Sequence, residues 1–263
     1  MDALFREKVI TAFDNYTKDY DISDPKIFLK VKHTRKVASL CEEIAQSLGM
    51  NDIDIDLAWL CGMLHDIGRF EQVKRYNTFF DSQSINHATF GADLLFLDGL
   101  FEKIVPTDCN AYTQKELIEK AIRVHNLFRL PEDLSDREYL FSTILRDADK
   151  IDILRANCET ATEDVYNVTT EELKAAAVSE DVKIAFNERR CAKRHDRTTA
   201  VDFLVGHICL TFELVHKRSL ELMYEQGNLF KLLAFESDNP STNEWFAYMK
   251  EQMLEFFSGN SIE

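Results

Sequence analysis

Residues 57–70, LAWLCGMLHDIGRF, join an apolar, helix-forming run to an adjacent histidine and aspartate. The run predicts a helix over about 54–66 that is apolar on most sides, which is typical of a helix buried at the centre of a domain. His65 and Asp66 stand at its end, and Gly68 predicts the point where the helix stops. Neighbouring side chains on a helix diverge by about 100°, so both reach one small site only near a helix end. The segment therefore predicts a central helix that delivers two polar groups to the interior.

Helical periodicity continues on both sides of this segment. Asp24 and Pro25 predict the start of a helix that runs to about Gly49, because proline is favoured at the first helical position. His33 lies on the apolar stripe of that helix, so its imidazole is expected to point inward. The chain has only 8 glycines and 4 prolines in 263 residues, a composition that favours helices joined by short loops. Further helices are predicted at about 84–98, 114–126, 136–156, 170–188, 198–217, 219–235 and 241–258.

Histidines and aspartates recur at inward positions of these helices. His87 lies near the start of the helix that follows the His-Asp pair, and His125 lies on the apolar face of the next one. Asp147 and Asp149 interrupt the otherwise apolar middle of the helix over 136–156. A buried and unpaired imidazole or carboxylate is costly, so such groups are paired, hydrogen-bonded or bound to metal. Their nitrogen and oxygen donors suit divalent ions such as Mn²⁺, Fe²⁺, Zn²⁺ or Ni²⁺.

Each of these side chains also has a purely structural interpretation. A lone inward histidine such as His33 is more often a hydrogen-bonded core residue than a ligand. His87 would then cap a helix start, and His125 would bond a backbone carbonyl near a helix end. Asp147 and Asp149 lie about 200° apart on their helix, so only one of them can face a common site. Periodicity does not choose between these two aspartates, because their helix is apolar all round.

The order of these residues resembles the H…HD…D signature of HD-domain phosphohydrolases, extended to the H…HD…H…H…D form of binuclear members. The resemblance rests on five segments: KVKHTRKVASLCEEIA with His33, GMLHDIGRF with His65 and Asp66, NHATFGADLL with His87, IRVHNLFRL with His125, and LRDADKIDIL with Asp149. It covers roughly residues 28–156 and implies an all-α, HD-domain-like helical bundle with additional C-terminal helices. The GYP loop typical of cyclic-dinucleotide phosphodiesterases is missing from the sequence, which counts against that particular activity.

The resemblance implies a metal-dependent phosphohydrolase that acts on a phosphomonoester or a phosphodiester, with nucleotides among the candidate substrates. It favours Asp149 over Asp147, because Asp149 directly precedes a lysine. One or two divalent ions are expected, with Mn, Fe, Ni, Zn and Mg as candidates. The implied metal ligands are His33, His65, Asp66, His87, His125 and Asp149.

Catalytic roles are expected for three residues beside or within this ligand set. Asp66 has two carboxylate oxygens and would bridge a pair of ions if two are bound. Lys150 and Arg69 are neighbours of ligands in the sequence and are candidates for binding phosphate oxygens, one as a point charge and the other as a fork. Ordinary surface salt bridges are the alternative interpretation of these two cations.

Charge and composition bear on the expected partners and the cellular compartment. The formal charge of −15 argues against general binding of nucleic acid, but it leaves open a small phosphorylated substrate. The N-terminal residues lack a signal-peptide pattern, and no apolar run reaches membrane length, so we expect no membrane association. The six cysteines form no CxxC pair, which favours a reducing cytoplasm.

Chain organisation and two rival functions complete the predictions. We expect a single helical domain over 1–263, with a metal-binding core at about 28–156 and a helical extension at about 160–263. One rival is a degenerate HD domain that binds a nucleotide or metal as a sensor without turnover. The other is a structural interaction module, in which the aromatic helix over 241–258 serves for packing or for self-association into a homo-oligomer. A second His-Asp pair, at His195 and Asp196, lies in a basic stretch and predicts a solvated loop, with binding of substrate phosphate as the alternative.

Overall fold

In a computed structural model, which describes residues 3–262, all regular secondary structure is helical and no β-strand occurs within that range. The all-α fold class predicted from the sequence is therefore confirmed. The chain forms two compact units, one ending at Asp149 and the other beginning at Lys150. That the whole chain folds as a single domain stays a prediction. Within the same range no helix combines the length and apolar character needed to cross a membrane.

The first unit holds the helices that flank the His-Asp pair. They are α1 (Ala3–Thr17), α2 (Pro25–Ser47), α3 (Asp52–Leu64), α4 (Ile67–Tyr76), α5 (His87–Phe96), the single turn α6 (Phe101–Ile104), α7 (Lys115–Val124) and the part of α8 (Asp136–Glu159) up to Asp149. Short 3₁₀ turns lie at Asp81–Gln83 and Asn110–Gln114. The predicted start of α2 is correct: Pro25 is its first residue, and the Asp24 carboxylate accepts a hydrogen bond from the Lys26 backbone N–H at 2.8 Å.

Close contact between α2 and α3 depends on Gly62. A Cβ at this position would lie 2.5 Å from the Cα of Ala38, a distance at which backbone atoms would have to move. Without that Cβ the two helices approach closely, and the imidazole rings of His33 and His65 come to a centroid separation of 5.3 Å. The approach of these helices therefore brings the first two candidate ligands together.

The predicted stop at Gly68 is wrong. α3 ends at Leu64, and α4 begins at Ile67, so Gly68 lies inside a helix. A Cβ on Gly68 would lie 2.4 Å from the His87 carbonyl oxygen and 2.7 Å from the Gly91 nitrogen. Glycine is thus required for contact between α4 and α5, a non-local reason that the sequence pattern does not reveal.

The second unit holds the rest of α8 and a set of shorter helices. These are α9 (Thr162–Tyr166), α10 (Thr170–Ala175), α11 (Glu180–Asn187), α12 (Ala200–Ile208), α13 (Lys217–Gln226), α14 (Asn228–Leu233) and α15 (Pro240–Gly259), with 3₁₀ turns at Arg194–Asp196 and Cys209–Glu213. The aromatic face predicted for 241–258 contributes to the core of this unit, where Phe246, Met249, Met253 and Phe257 are buried.

Three of the helices predicted as continuous in this unit are interrupted. Gly227 adopts a φ of 66° and ends α13, which divides the helix predicted at 219–235. The helix predicted at 198–217 ends at Ile208 and continues only as a 3₁₀ turn. The break between α10 and α11 covers residues 176–179, AAVS, which contain neither glycine nor proline, so its cause is tertiary.

Candidate metal centre

The six predicted ligands come together inside the first unit. His33 lies in α2, His65 and Asp66 in the junction between α3 and α4, His87 at the start of α5, His125 directly after α7, and Asp149 in α8. All four imidazoles and Asp66 are at most 5% exposed. Their donor atoms form three overlapping groups in which all atoms lie within 4.8 Å of one another: His33, His65, Asp66; His65, His125, Asp149; and Asp66, His87, His125.

The Asp66 carboxylate separates two pairs of histidines. Its Oδ2 lies 3.5 Å from Nε2 of His33 and 3.5 Å from Nε2 of His65. Its Oδ1 lies 3.5 Å from Nε2 of His87 and 3.9 Å from Nε2 of His125. Each oxygen thus faces its own pair of imidazole nitrogens.

Asp149 adds a second carboxylate to the first of these pairs. Its Oδ1 lies 3.1 Å from Nε2 of His33 and 3.8 Å from Nε2 of His65. Asp147 is also buried, but it belongs to none of the potential ligand groups found between residues 3 and 262. The geometry therefore brings Asp149, and not Asp147, into the cluster.

Hydrogen bonds at Nδ1 set the tautomers of three imidazoles. His65 Nδ1 lies 2.8 Å from the Gly62 carbonyl oxygen, and His125 Nδ1 lies 2.7 Å from the Ile122 carbonyl oxygen. His87 Nδ1 lies 2.8 Å from Oδ2 of Asp81. Carbonyl and carboxylate oxygens only accept, so each Nδ1 carries the proton and donates it. The Nε2 atoms are then left with lone pairs directed toward the cluster.

Two of these lone pairs point at each other. Nε2 of His87 and Nε2 of His125 are 3.1 Å apart, and with both protons on Nδ1 neither nitrogen has a hydrogen to donate. Burial lowers the pKa of both imidazoles to about 4, so they are neutral near pH 7. A cation close to both nitrogens would turn this repulsive contact into an attractive one.

The carboxylates of the cluster remain ionised. Burial raises the pKa of Asp66, but interactions led by the charge of Lys30, with that of Arg69 contributing, outweigh it and leave the pKa well below the usual range. Burial likewise opposes ionisation of Asp149, and a hydrogen bond from His33 leads the interactions that bring its pKa down. The site thus presents anionic oxygen donors and, in His65, His87 and His125, neutral nitrogen donors, the combination that divalent ions bind.

Two contacts at this site involve residues that the sequence analysis did not identify. Asp81 orients His87 and also accepts hydrogen bonds from Arg69 at 3.1 Å and from Gln72 at 2.9 Å. Lys30 places its Nζ 2.6 Å from Oδ2 of Asp66. Lys30 stands three residues before His33 on the same helix, a spacing that could have identified it. Asp81 begins a 3₁₀ turn of three residues, which is too short to show a periodicity.

The two predicted phosphate-binding cations have different surroundings. Arg69 lies in the first unit, with its Nε 3.6 Å from Oδ1 of Asp66. Its Nη1 also donates to the Phe79 carbonyl oxygen at 2.7 Å, which fixes the guanidinium against the segment that carries Asp81. Lys150 begins the second unit, where its Nζ lies 3.4 Å from the Glu213 carbonyl oxygen. Phosphate binding by either residue stays a prediction.

An all-helical unit that gathers four buried imidazoles, the buried Asp66 and the partly exposed Asp149 around a common point has the donor arrangement of a helical metal-binding domain. Residues 31–156 match the HD domain family, and the buried cluster fits the metal site of that family. The resemblance to HD domains predicted from the sequence is therefore confirmed for these residues. Such domains bind divalent metals and are typically metal-dependent phosphohydrolases. Comparison with curated proteins gave no match, and comparison with solved structures gave none either.

Proposed function

We propose that this protein is a divalent-metal-dependent phosphohydrolase that hydrolyses a phosphomonoester or a phosphodiester, with nucleotides among the candidate substrates. The observation that carries the proposal is the position of Asp66 between two pairs of imidazole nitrogens, at 3.5 Å from three of them and 3.9 Å from the fourth. A carboxylate in this position is suited to bridge two ions, and paired ions about 3.5–4 Å apart are typical of phosphoester hydrolysis.

The donor set fits such ions on physical grounds. Nε2 of His65 is buried and has no hydrogen-bond partner. An unsatisfied buried nitrogen is costly, and coordination would remove that cost. Nε2 of His87 and Nε2 of His125 face each other at 3.1 Å with no hydrogen between them. A cation bound to both nitrogens would remove the repulsion between their lone pairs. We assign His33, His65 and Asp149 to one ion and His87 and His125 to the other, with Asp66 shared.

Bound ions would supply a nucleophile by lowering the pKa of water and would polarise the phosphoryl group. The residues of the chain then have separate tasks. Asp66 and Asp149 balance the charge of the ions, and the imidazoles fix their positions. Asp81 keeps His87 in the tautomer that exposes Nε2. Arg69, 3.6 Å from Asp66, would neutralise charge that develops on the phosphoryl oxygens, as would Lys150.

The proposal is tested by measuring metal content and turnover on the same preparation. Elemental analysis of the purified protein is expected to find one or two divalent ions per chain. Turnover is then measured with Mn²⁺, Ni²⁺ or Mg²⁺ against p-nitrophenyl phosphate, bis-p-nitrophenyl phosphate and a panel of nucleotides. We expect hydrolysis of at least one compound, and loss of both metal and turnover in His65→Ala/Asp66→Ala. A double variant that keeps its metal and its full activity would contradict the proposal.

A further inference from the structure

Lys30 contacts the same carboxylate oxygen that faces His33 and His65. Its Nζ lies 2.6 Å from Oδ2 of Asp66, close enough for a charge-assisted hydrogen bond. The Lys30 side chain is 13% exposed, whereas that of Asp66 is only 3% exposed. Lys30 therefore reaches from the solvent-accessible side into the buried cluster, and it uses an oxygen that the proposed function assigns to a metal ion.

Charge balance indicates that a bound divalent ion would weaken this contact. Three carboxylates, those of Asp66, Asp81 and Asp149, lie beside two cations, Lys30 and Arg69. A divalent ion at the Asp66 carboxylate would add two positive charges to this group. The carboxylate would then attract the Lys30 ammonium less strongly, and the surroundings of Lys30 would attract an anion more strongly.

The two cations differ in their freedom to respond to that change. Arg69 donates from one nitrogen to Gln72, to the Phe79 carbonyl and to Asp81, which fixes its guanidinium. Lys30 has a flexible stem and contacts Asp66 and the face of the Phe79 ring, 5.2 Å from the ring centroid. Of the two, Lys30 is the one that can leave Asp66 without disrupting a hydrogen-bond network.

We propose that Lys30 is a substrate-binding residue whose ammonium moves from Asp66 to a non-bridging phosphoryl oxygen once a divalent ion occupies the Asp66 carboxylate. This inference rests on the proposed function and adds an order to it, because phosphate binding then requires prior metal binding. It also assigns to the substrate a phosphoryl group with anionic oxygens that are accessible from the side of α2.

The test compares Lys30→Met with Lys36→Met, a change at an exposed lysine of the same helix. Isothermal titration gives the affinity for Mn²⁺, and then the affinity of the Mn²⁺-saturated protein for inorganic phosphate. We expect Lys30→Met to bind Mn²⁺ at least as tightly as the wild type, because a competing cation is gone. Its phosphate affinity should fall by about tenfold or more, the value of a charge-assisted hydrogen bond. Lys36→Met should match the wild type in both titrations, and the metal-free wild type should bind no phosphate.

Two results would overturn the inference and leave the proposed function standing. One is equal phosphate affinity in Lys30→Met and the wild type. The other is weaker Mn²⁺ binding in Lys30→Met, which would make Lys30 a support for Asp66. If the Mn²⁺-saturated wild type itself binds no phosphate, the proposed function fails and the inference fails with it. Lys30→Gln, which keeps a polar side chain of similar length, gives the same comparison should the methionine variant fold poorly.

Discussion

The sequence His-Asp occurs once in each unit of this protein, and the two copies have different structures. His65 and Asp66 are 0% and 2% exposed, and imidazoles and a carboxylate from other helices surround them. The side chain of His195 is 78% exposed, and Oδ2 of Asp196 accepts a hydrogen bond from the Lys193 backbone N–H at 2.8 Å. One pair is part of a candidate metal centre, and the other closes a 3₁₀ turn.

The difference shows that a dipeptide becomes a site only through the residues packed around it. The first copy follows an apolar run that requires burial, so its polar groups are carried into the interior. The second copy lies within the basic stretch ERRCAKRHDR, residues 188–197, where His195 faces solvent. The solvated loop predicted there is correct for His195 but not for Asp196, which is buried at 8% exposed because it bonds to its own turn. The predictions below test this contrast, in order of decreasing expected effect.

The largest effect is expected from removing each pair in turn. His65→Ala/Asp66→Ala should lower metal affinity by more than about 100-fold, beyond the loss typical of outer-shell residues, and should abolish turnover. His195→Ala/Asp196→Ala should retain the metal content of the wild type. Equilibrium dialysis followed by elemental analysis measures both variants, and a similar metal loss in the two would remove the distinction between the copies.

A smaller effect is expected at Asp81, which contacts His87 without belonging to the ligand groups. Asp81→Ala removes the acceptor that holds the His87 proton on Nδ1, so the affinity for metal should fall about 10–100-fold. Asp54→Ala, at a half-buried position that pairs with Arg137 and not with a histidine, is the control and should leave metal affinity unchanged. Unaltered metal binding in Asp81→Ala would show that the tautomer of His87 needs no such support.

A third effect is expected at Gly68, where α4 contacts α5 beside His65 and Asp66. In Gly68→Ala the new methyl group would meet the backbone of α5, so overpacking should cost about 1–3 kcal/mol in free energy of unfolding and displace His87. Gly206→Ala is the comparison in the second unit, where the nearest atoms belong to the Arg197 side chain, which can rotate. Denaturant unfolding should show a clearly smaller loss there; equal losses would mean that backbone contact is not the deciding factor.

The smallest effect is expected from Asp196→Ala alone. The Asp196 carboxylate accepts from the Lys193 backbone N–H at 2.8 Å and from Arg190 at 3.5 Å. Its loss should cost about 1 kcal/mol, the usual net value of one hydrogen bond, because the contact with Arg190 is long. Thermal unfolding measures this change, and metal titration of the same variant should reproduce the wild-type curve. A weakened metal affinity would show that the second pair has a role in the centre after all.

The local sequence was sufficient to predict where some helices begin, and it was misleading about where others break. The start of α2 was predictable, since Asp24 and Pro25 act within one turn of the helix they begin. The break after α10 was not, because the backbone there bonds to distant side chains. Thr242 donates to the Ala176 carbonyl at 2.9 Å, and Asp202 accepts from the Ser179 N–H at 2.9 Å. Such bonds replace helical ones and leave no local signal.

The same division applies to the candidate site. Periodicity alone determined that His33 faces inward and that the polar groups of several helices need partners, because the buried face of a helix is a property of its own residues. The resemblance to the HD family favoured Asp149 as the ligand. The physical evidence that distinguishes it from Asp147 is the distance of 3.1 Å between its Oδ1 and Nε2 of His33. Asp81 became visible only in three dimensions, whereas Lys30 had a local signal in its spacing of three residues from His33.

The sequence by itself determined that the chain is helical and which kinds of donor atoms it buries. Tertiary structure decided how far apart those atoms lie, and which oxygen of Asp66 faces which pair of histidines. The physical reason is the separation along the chain of the residues that interact. Helix formation depends on residues a few positions apart, whereas donor distances are set by contacts such as that of Gly68 with α5, between segments that only the folded chain brings together.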